Sequence, residues 1–555
     1  MSARVRASEN PSGAAAIAAL VAGLAAILFS AWWWLTARYP DLGHDYLSWV
    51  SAIYEGRMAW ERYGSLDYAF SPFRCLGLPS FSNPSALIFS LFHLLGLWME
   101  ELLAIYLGIV LILSFGYLGA YRLGRHLRLE PLAAVLLALG WSLQGWAASR
   151  VIVGHLPFVE LVLWPWLFLV LIEPRPAKLA VLAAAFWLAH MAYSGAFYTL
   201  LIGSAGCLLA LGVARTQLPS GAQACWQAGS LLRNAGLIAG LSLGMMLPKL
   251  IAVFDFLALF PRITQLAEVP FIRAFVYAAG TLAYPLPYDV VGFVGWPYGN
   301  WEATQFLFPG LLPVLVYLVY RHRQRLSVRR IAATLLGVLT LSAILSSGRL
   351  RDVFSALPLL RSLHVNPRWN AVALLPLFVQ ACHVMATSRF LSGRGWRSWS
   401  AFCALFVVFV GTPFLYLRPA ANWGYFPYRF GIANERLAFC YEPIFGYGLE
   451  HFPRGARGID WIREPLRDPR CMLASGACAP GRSLENPDQY RALQAYQMPE
   501  VNPLVRYSKV PALGLYFAGM LAMLATALEL VRNAWRDLRG AAAVRSRARG
   551  PATGR

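Results

Sequence analysis

Residues 14–36 read AAAIAALVAGLAAILFSAWWWLT, a run of more than twenty residues without a single charge, ending in three consecutive tryptophans. A helix of about 20 apolar residues spans the hydrocarbon core of a bilayer. Trp32-Trp33-Trp34 offers no small-residue cleavage site, so this run is expected to stay as an anchor instead of leaving as a signal peptide. Comparable runs recur along the chain near 102–121, 131–148, 157–173, 178–193, 195–213, 234–254, 304–320, 331–347, 369–387, 399–417 and 511–530. The expected fold is therefore an all-α polytopic membrane protein with about 12 transmembrane helices.

Composition agrees. Of 555 residues, 58% are apolar and only 14% charged, against about a quarter charged in an average soluble chain. The mean hydropathy is +0.52. The formal charge of +21 would suit a nucleic-acid binder, but its distribution points elsewhere. With the N-terminus inside and alternate crossings, the cytoplasmic segments hold 24 Arg and Lys with 5 Asp and Glu, and the external side 24 with 22. The basic excess lies in short loops, 121–130, 321–330 and 388–398, and in the C-terminal tail, as the positive-inside rule requires. Both termini are then cytoplasmic, and nucleic acid is not an expected partner.

The long polar segments fall outside: 37–101, 255–301, 348–368 and 418–509. The organisation expected is a transmembrane module over 1–417, an external cap segment over 418–509, a last span over 510–531 and a disordered Ala/Gly/Arg-rich tail over 532–555. Pro84 to Trp98 is apolar but too short to cross, and reads as an interfacial or re-entrant helix. Four cysteines are external, Cys75, Cys440, Cys471 and Cys478; Cys471 with Cys478 is the disulfide expected in an oxidising compartment. There is no phosphate-binding Gly-rich loop, dinucleotide fingerprint, nucleophile elbow or zinc spacing, which excludes a pump that hydrolyses cytoplasmic ATP.

Chemistry is expected at the outer face. RYPDLGHDYLSW places Asp41, His44 and Asp45 just after the first span. Partial desolvation there raises a carboxylate's basicity, within reach of a lipid phosphate or a metal; a capping Asp is the plainer alternative. Arg368, in HVNPRWN beside His364, offers the fork of donors that suits phosphate oxygens, although an interfacial Arg also simply snorkels. Lys249 falls within the outer part of a span, where an ammonium needs a partner or a phosphate. His155 in GHLPF is suited to a sugar hydroxyl or to orienting a carboxylate, with Glu160 as a nearby partner. Glu302 and Asp289 flank the aromatic stretch GFVGWPYGNW, whose Trp296, Tyr298 and Trp301 suit sugar faces or an ordinary aromatic belt.

Several of these strings resemble a family. Asp41 and Asp45 after the first span, SAIYEGRMAWERYG, and SPFRCLGLPSFSNPSALIFSLFHLLGL look like the first external loop of GT-C glycosyltransferases. GHLPFVELVLWPW, HVNPRWNA and NWEATQFLFPGLLPV are similar to a bacterial GT-C-like group of polytopic proteins. The resemblance covers about the first 390 residues, without an adjacent Asp-X-Asp. It implies a GT-C-like fold, a polyprenyl-phosphate sugar donor, a lipid or glycan acceptor, and an Asp of the first loop, Asp41 or Asp45, as base. Substrate-binding candidates are His44, His155, Lys249, Glu302, His364 and Arg368; no particular cofactor is implied, and a divalent metal stays open. Two other classes compete: a secondary transporter or lipid flippase, and a non-catalytic envelope assembly protein. Charges inside spans are sparse and polar content is concentrated on one face, which favours an enzyme over alternating access.

Overall fold

The computed structural model describes residues 13–36, 45–64, 70–71, 78–79, 81–217, 228–259, 268–283, 304–307, 311–356, 365–392, 396–420 and 503–548. Apart from a two-residue antiparallel strand pair, Phe70–Ser71 with Leu78–Pro79, the described elements are helices. In chain order they are α1 Gly13–Thr36, α2 Tyr46–Tyr63, α3 Leu91–Gly96, α4 Glu101–His126, α5 Pro131–Ser142, α6 Gly145–Val153, α7 Trp164–Ile172, α8 Lys178–Tyr193 and α9 Phe197–Gln217. Then come α10 Ala228–Leu259, α11 Phe271–Ala283, α12 Leu312–Arg321, α13 Val328–Ser346, α14 Arg351–Ser355, α15 Leu374–Ser388, α16 Trp396–Ala420 and α17 Pro503–Ala548. Two 3-10 helices, Leu156–Leu163 and Asn366–Ala373, precede α7 and α15.

The chain is a multi-pass membrane protein. Eight helical segments among the described residues are long and apolar enough to cross a bilayer: Ile17–Leu35, Glu101–His126, Pro131–Val153, Phe197–Gln217, Ala228–Asp255, Val328–Ser346, Asn366–Ser388 and Tyr507–Arg532. Four more of the expected runs form shorter apolar helices, Leu156–Ile172, Lys178–Tyr193, Leu312–Arg321 and Trp396–Thr412. A fifth short apolar helix, Phe271–Leu282, lies where an external loop was expected and packs against α13. Pro131–Val153 is wholly buried while Val328–Ser346 is 17% buried, so α5 and α6 form the centre of the bundle and α13 its periphery. Pro131 opens α5 at its first turn, where a missing N–H is harmless.

Two expectations change. Residues 84–98 do not form one helix. The chain runs irregularly through turns from Phe81 to Ser90, and only Leu91–Gly96 is helical, with the Ser90 hydroxyl accepting from His93 N–H. Phe81, Asn83, Leu87, Ile88, Phe89, Phe92 and His93 are buried, so the segment folds back into the bundle instead of lying on it. Buried irregular backbone needs partners. The Lys249 ammonium donates to Phe81 O at 2.7 Å and Asn83 O at 2.8 Å, Tyr516 Oη donates to Phe89 O at 2.8 Å, and Leu91 N–H donates to His190 Nε2 at 2.8 Å. Gly195, at φ +78°, has its missing Cβ 2.9 Å from Ser85, so glycine is required for this approach. The second change is at the C-terminus, where α17 continues to Ala548: Ala, Leu and Arg, good helix formers, extend it through residues expected to be disordered.

Candidate functional site

The site is assembled where α6 ends. Gly154 caps α6 in the left-handed conformation at φ +83°, and a Cβ there would lie 2.8 Å from Tyr46 N. That close approach laces the start of α2 to the end of α6. Asp45 N–H donates to Val153 O at 3.3 Å, Tyr46 Oη donates to Val151 O, and Trp49 Nε1 donates to Gly154 O. Burial pushes the Tyr46 phenol well above its ordinary range, so it stays a neutral donor.

Asp45 precedes α2 without capping it through its side chain. Its Oδ2 lies 3.1 Å from His155 Nε2. His155 Nδ1 in turn lies 2.7 Å from Arg150 Nη1. Arg150 is fully buried, with its guanidinium 4.3 Å from the Trp146 ring centre and 5.4 Å from that of Phe158. Arg368 of the second 3-10 helix sits 4.5 Å from the same Phe158 ring and 4.9 Å from that of Tyr198. Tyr198 Oη accepts from Val365 N–H at 2.8 Å, which fixes the start of that helix. One aromatic ring thus carries two guanidinium groups, and the carboxylate is one imidazole away.

Three residues selected from sequence, Asp45, His155 and Arg368, converge here. Arg150, Phe158 and Tyr198 were not singled out. Arg150 carries a readable signal, an arginine between two apolar runs where the charge pattern leads to the expectation of a short external loop; the structure places it in α6. The Lys249 ammonium donates to two carbonyls of the Phe81–Ser90 segment and lies 5.6 Å from the Phe81 ring centre. Glu160 does not pair with His155. Its Oε2 lies 3.1 Å from Nδ1 of His190, with both side chains buried. Asp41, His44, Glu302, Asp289, Trp296, Tyr298, Trp301, His364, Cys471 and Cys478 lie outside the described residues, as does nearly all of the 418–509 segment. Among the described residues, no three His, Cys, Asp or Glu side chains are grouped so as to hold a metal ion.

An apolar cavity of about 450 Å³ lies between α11, α12, α13 and α15, with Leu282, Leu307, Leu312, Leu339 and Leu377 in its wall and Gln380 its one polar residue. Leu307 is two residues beyond Gln305, whose Nε2 donates to Pro367 O at 2.7 Å, next to Arg368.

No family model matches the chain, and no curated protein matches it. Among solved structures, a cryo-EM structure of the arabinofuranosyltransferase AftD from Mycobacteria is similar over 76% of this chain, at 15% identity and a TM-score of 0.40. The match covers 27% of that protein's length.

Proposed function

We propose that the protein is a membrane glycosyltransferase of GT-C type that moves a sugar from a polyprenyl-phosphate donor to a lipid or glycan acceptor at the outer face of the cytoplasmic membrane. The observation that carries the reading is the convergence of Asp45, through His155, with the two guanidinium groups on Phe158. Twelve crossings with both termini inside would put that end of the bundle on the outer face, where soluble nucleotide sugars are absent and a lipid carries the donor.

The chemistry needs few groups. Asp45 takes the proton of an acceptor hydroxyl as its oxygen attacks the anomeric carbon. The bond from that carbon to the phosphate oxygen breaks, and the lipid phosphate leaves with the electron pair. Arg368 binds that phosphate with parallel N–H donors, and Arg150, against the same ring, adds positive potential. A positioned base is worth about 10²–10⁴-fold in rate. The apolar cavity next to the Gln305–Pro367 contact suits the isoprenoid chain of the donor. Asp41 is the second candidate for the base, and His44, Glu302 and His364 are candidates for sugar contacts.

The test is transfer by the purified full-length protein from a panel of radiolabelled polyprenyl-phosphate sugars, with and without a chelator. Asp45→Asn is expected to lower turnover by about 10²-fold or more, and Arg368→Met to raise the donor KM. Unchanged turnover in folded Asp45→Asn and Asp41→Asn protein would remove both carboxylates from the reaction. Flux of an unmodified lipid in sealed vesicles, without product, would replace the enzyme by a transporter.

A further inference from the structure

We infer that Arg150 and His155 are positioning residues that give the chain Arg150, His155, Asp45 a single hydrogen-bond polarity, with His155 a neutral donor to the carboxylate. The catalytic consequence rests on the glycosyltransferase reading; the polarity rests on geometry alone.

A guanidinium has N–H donors and no acceptor. With Arg150 Nη1 2.7 Å from His155 Nδ1, that ring nitrogen must accept, and so carries no proton. The proton of the neutral ring then sits on Nε2, directed at Asp45 Oδ2 at 3.1 Å. A doubly protonated ring would set an N–H against an N–H and a cation against a cation, beside an arginine that is wholly buried. The guanidinium of Arg150 lies against both the Trp146 and the Phe158 ring, whose centres are 6.0 Å apart, and this contact holds its orientation. Charged groups that face the imidazole include Arg150 from α6 and Asp45 ahead of α2, and Arg368 from the second 3-10 helix lies against the Phe158 ring that also touches His155. His155 therefore has no lone pair to offer a substrate proton, and Asp45 is the acceptor at the end of the chain. His155 holds one carboxylate oxygen and fixes its plane, the part an orienting group plays for a base.

The protein contains an internal contrast. At His190 the backbone N–H of Leu91 donates to Nε2 at 2.8 Å, so the proton is on Nδ1 and faces Glu160 Oε2 at 3.1 Å. The two histidines are thus both donors to carboxylates, through opposite nitrogens.

Nitrogen-15 NMR of histidine-labelled full-length protein in lipid nanodiscs reads these states directly, with His155→Gln and His190→Gln spectra assigning the two rings. At a single pH of about 8, His155 is expected to carry its ring proton on Nε2 and His190 on Nδ1. Arg150→Lys, which still donates, is expected to preserve the His155 pattern; Arg150→Met, which donates nothing, is expected to let the ring proton appear on Nδ1 as well. A proton on Nδ1 of His155, a doubly protonated ring, or a His155 pattern unmoved by Arg150→Met would overturn the inference. In the transfer assay, His155→Gln, whose carbonyl faces Arg150 and whose amide N–H faces Asp45, is expected to lose less than ~10-fold in turnover and His155→Leu more than ~100-fold. Equal losses would overturn the positioning role. An inactive wild type with the NMR pattern intact would overturn the functional reading alone and leave the polarity established.

Discussion

Lys249 is the residue for which the sequence permits two roles, and its replacement separates them. Its ammonium is fully buried and donates to two carbonyls of the irregular Phe81–Ser90 segment, at 2.7 Å and 2.8 Å. In Lys249→Met both carbonyls lose a charged donor. An unsatisfied buried polar group costs about 1–3 kcal/mol, part of it offset because an ammonium no longer has to be desolvated. A net loss of about 2–5 kcal/mol is expected, a large fraction of a typical 5–15 kcal/mol. The loss should be local first, since other partners of the segment, Tyr516 and His190, remain. The assay is thermal unfolding of the protein in nanodiscs together with amide hydrogen exchange across Phe81–Ser90. A lower midpoint and faster exchange in that segment are expected, with Lys249→Gln intermediate. Wild-type stability and exchange in Lys249→Met, accompanied by a raised donor KM, would refute the structural role and return Lys249 to the phosphate.

His93 is buried, with Nδ1 accepting from Phe89 N–H at 3.2 Å, and burial lowers its pKa to about 4. The unfolded chain binds this proton near pH 6.5 and the folded protein only near 4, so stability is expected to fall as pH drops through that window, by up to about 3 kcal/mol; a denaturation series against pH, with His93→Gln lacking this slope, checks it. Gly203→Ala places a Cβ 1.8 Å from the Trp164 ring, and is expected to lower stability by about 1–3 kcal/mol in the same melting assay. Glu160→Leu leaves the buried Nδ1–H of His190 without its acceptor and is expected to destabilise by about 1–3 kcal/mol, whereas Glu160→Gln keeps an acceptor and should melt close to wild type.

Much of the bundle was legible because membrane spans declare themselves by length and lack of charge, and each expected run overlaps a described apolar helix, although Thr304–Leu307, at the start of one of them, is not helical. The Phe271–Ala283 helix was not, since thirteen residues interrupted by Arg273 are too short to read as a span. In the site, Asp45, His155 and Arg368 were legible as chemically suggestive residues, but nothing in one sequence pairs residues separated by more than a hundred positions. Arg150 was passed over although it ran against the charge bias of the loop expected there. For Lys249 a partner or a phosphate was expected and for Glu160 His155, but which groups they meet was not legible, because backbone carbonyls and a histidine on another helix leave no pattern to read. The separation of Phe81–Ser90 from helix was beyond pattern reasoning for the same reason: what holds it open lies on α8, α10 and α17.

The two 3-10 helices are each eight residues long, with proline in the first turn. Such a helix repeats every three residues, so its side chains fall into three straight columns. Phe158 and Arg368 hold the third place in their helices, and Glu160 and Asn370 the fifth, in a neighbouring column. Deleting one residue ahead of Arg368 would hand its column to Trp369, a ring in place of a cation; deleting three would return each column to its own direction. Tolerance to short deletions in these stretches should therefore follow a rhythm of three, where an ordinary helix would follow none so short.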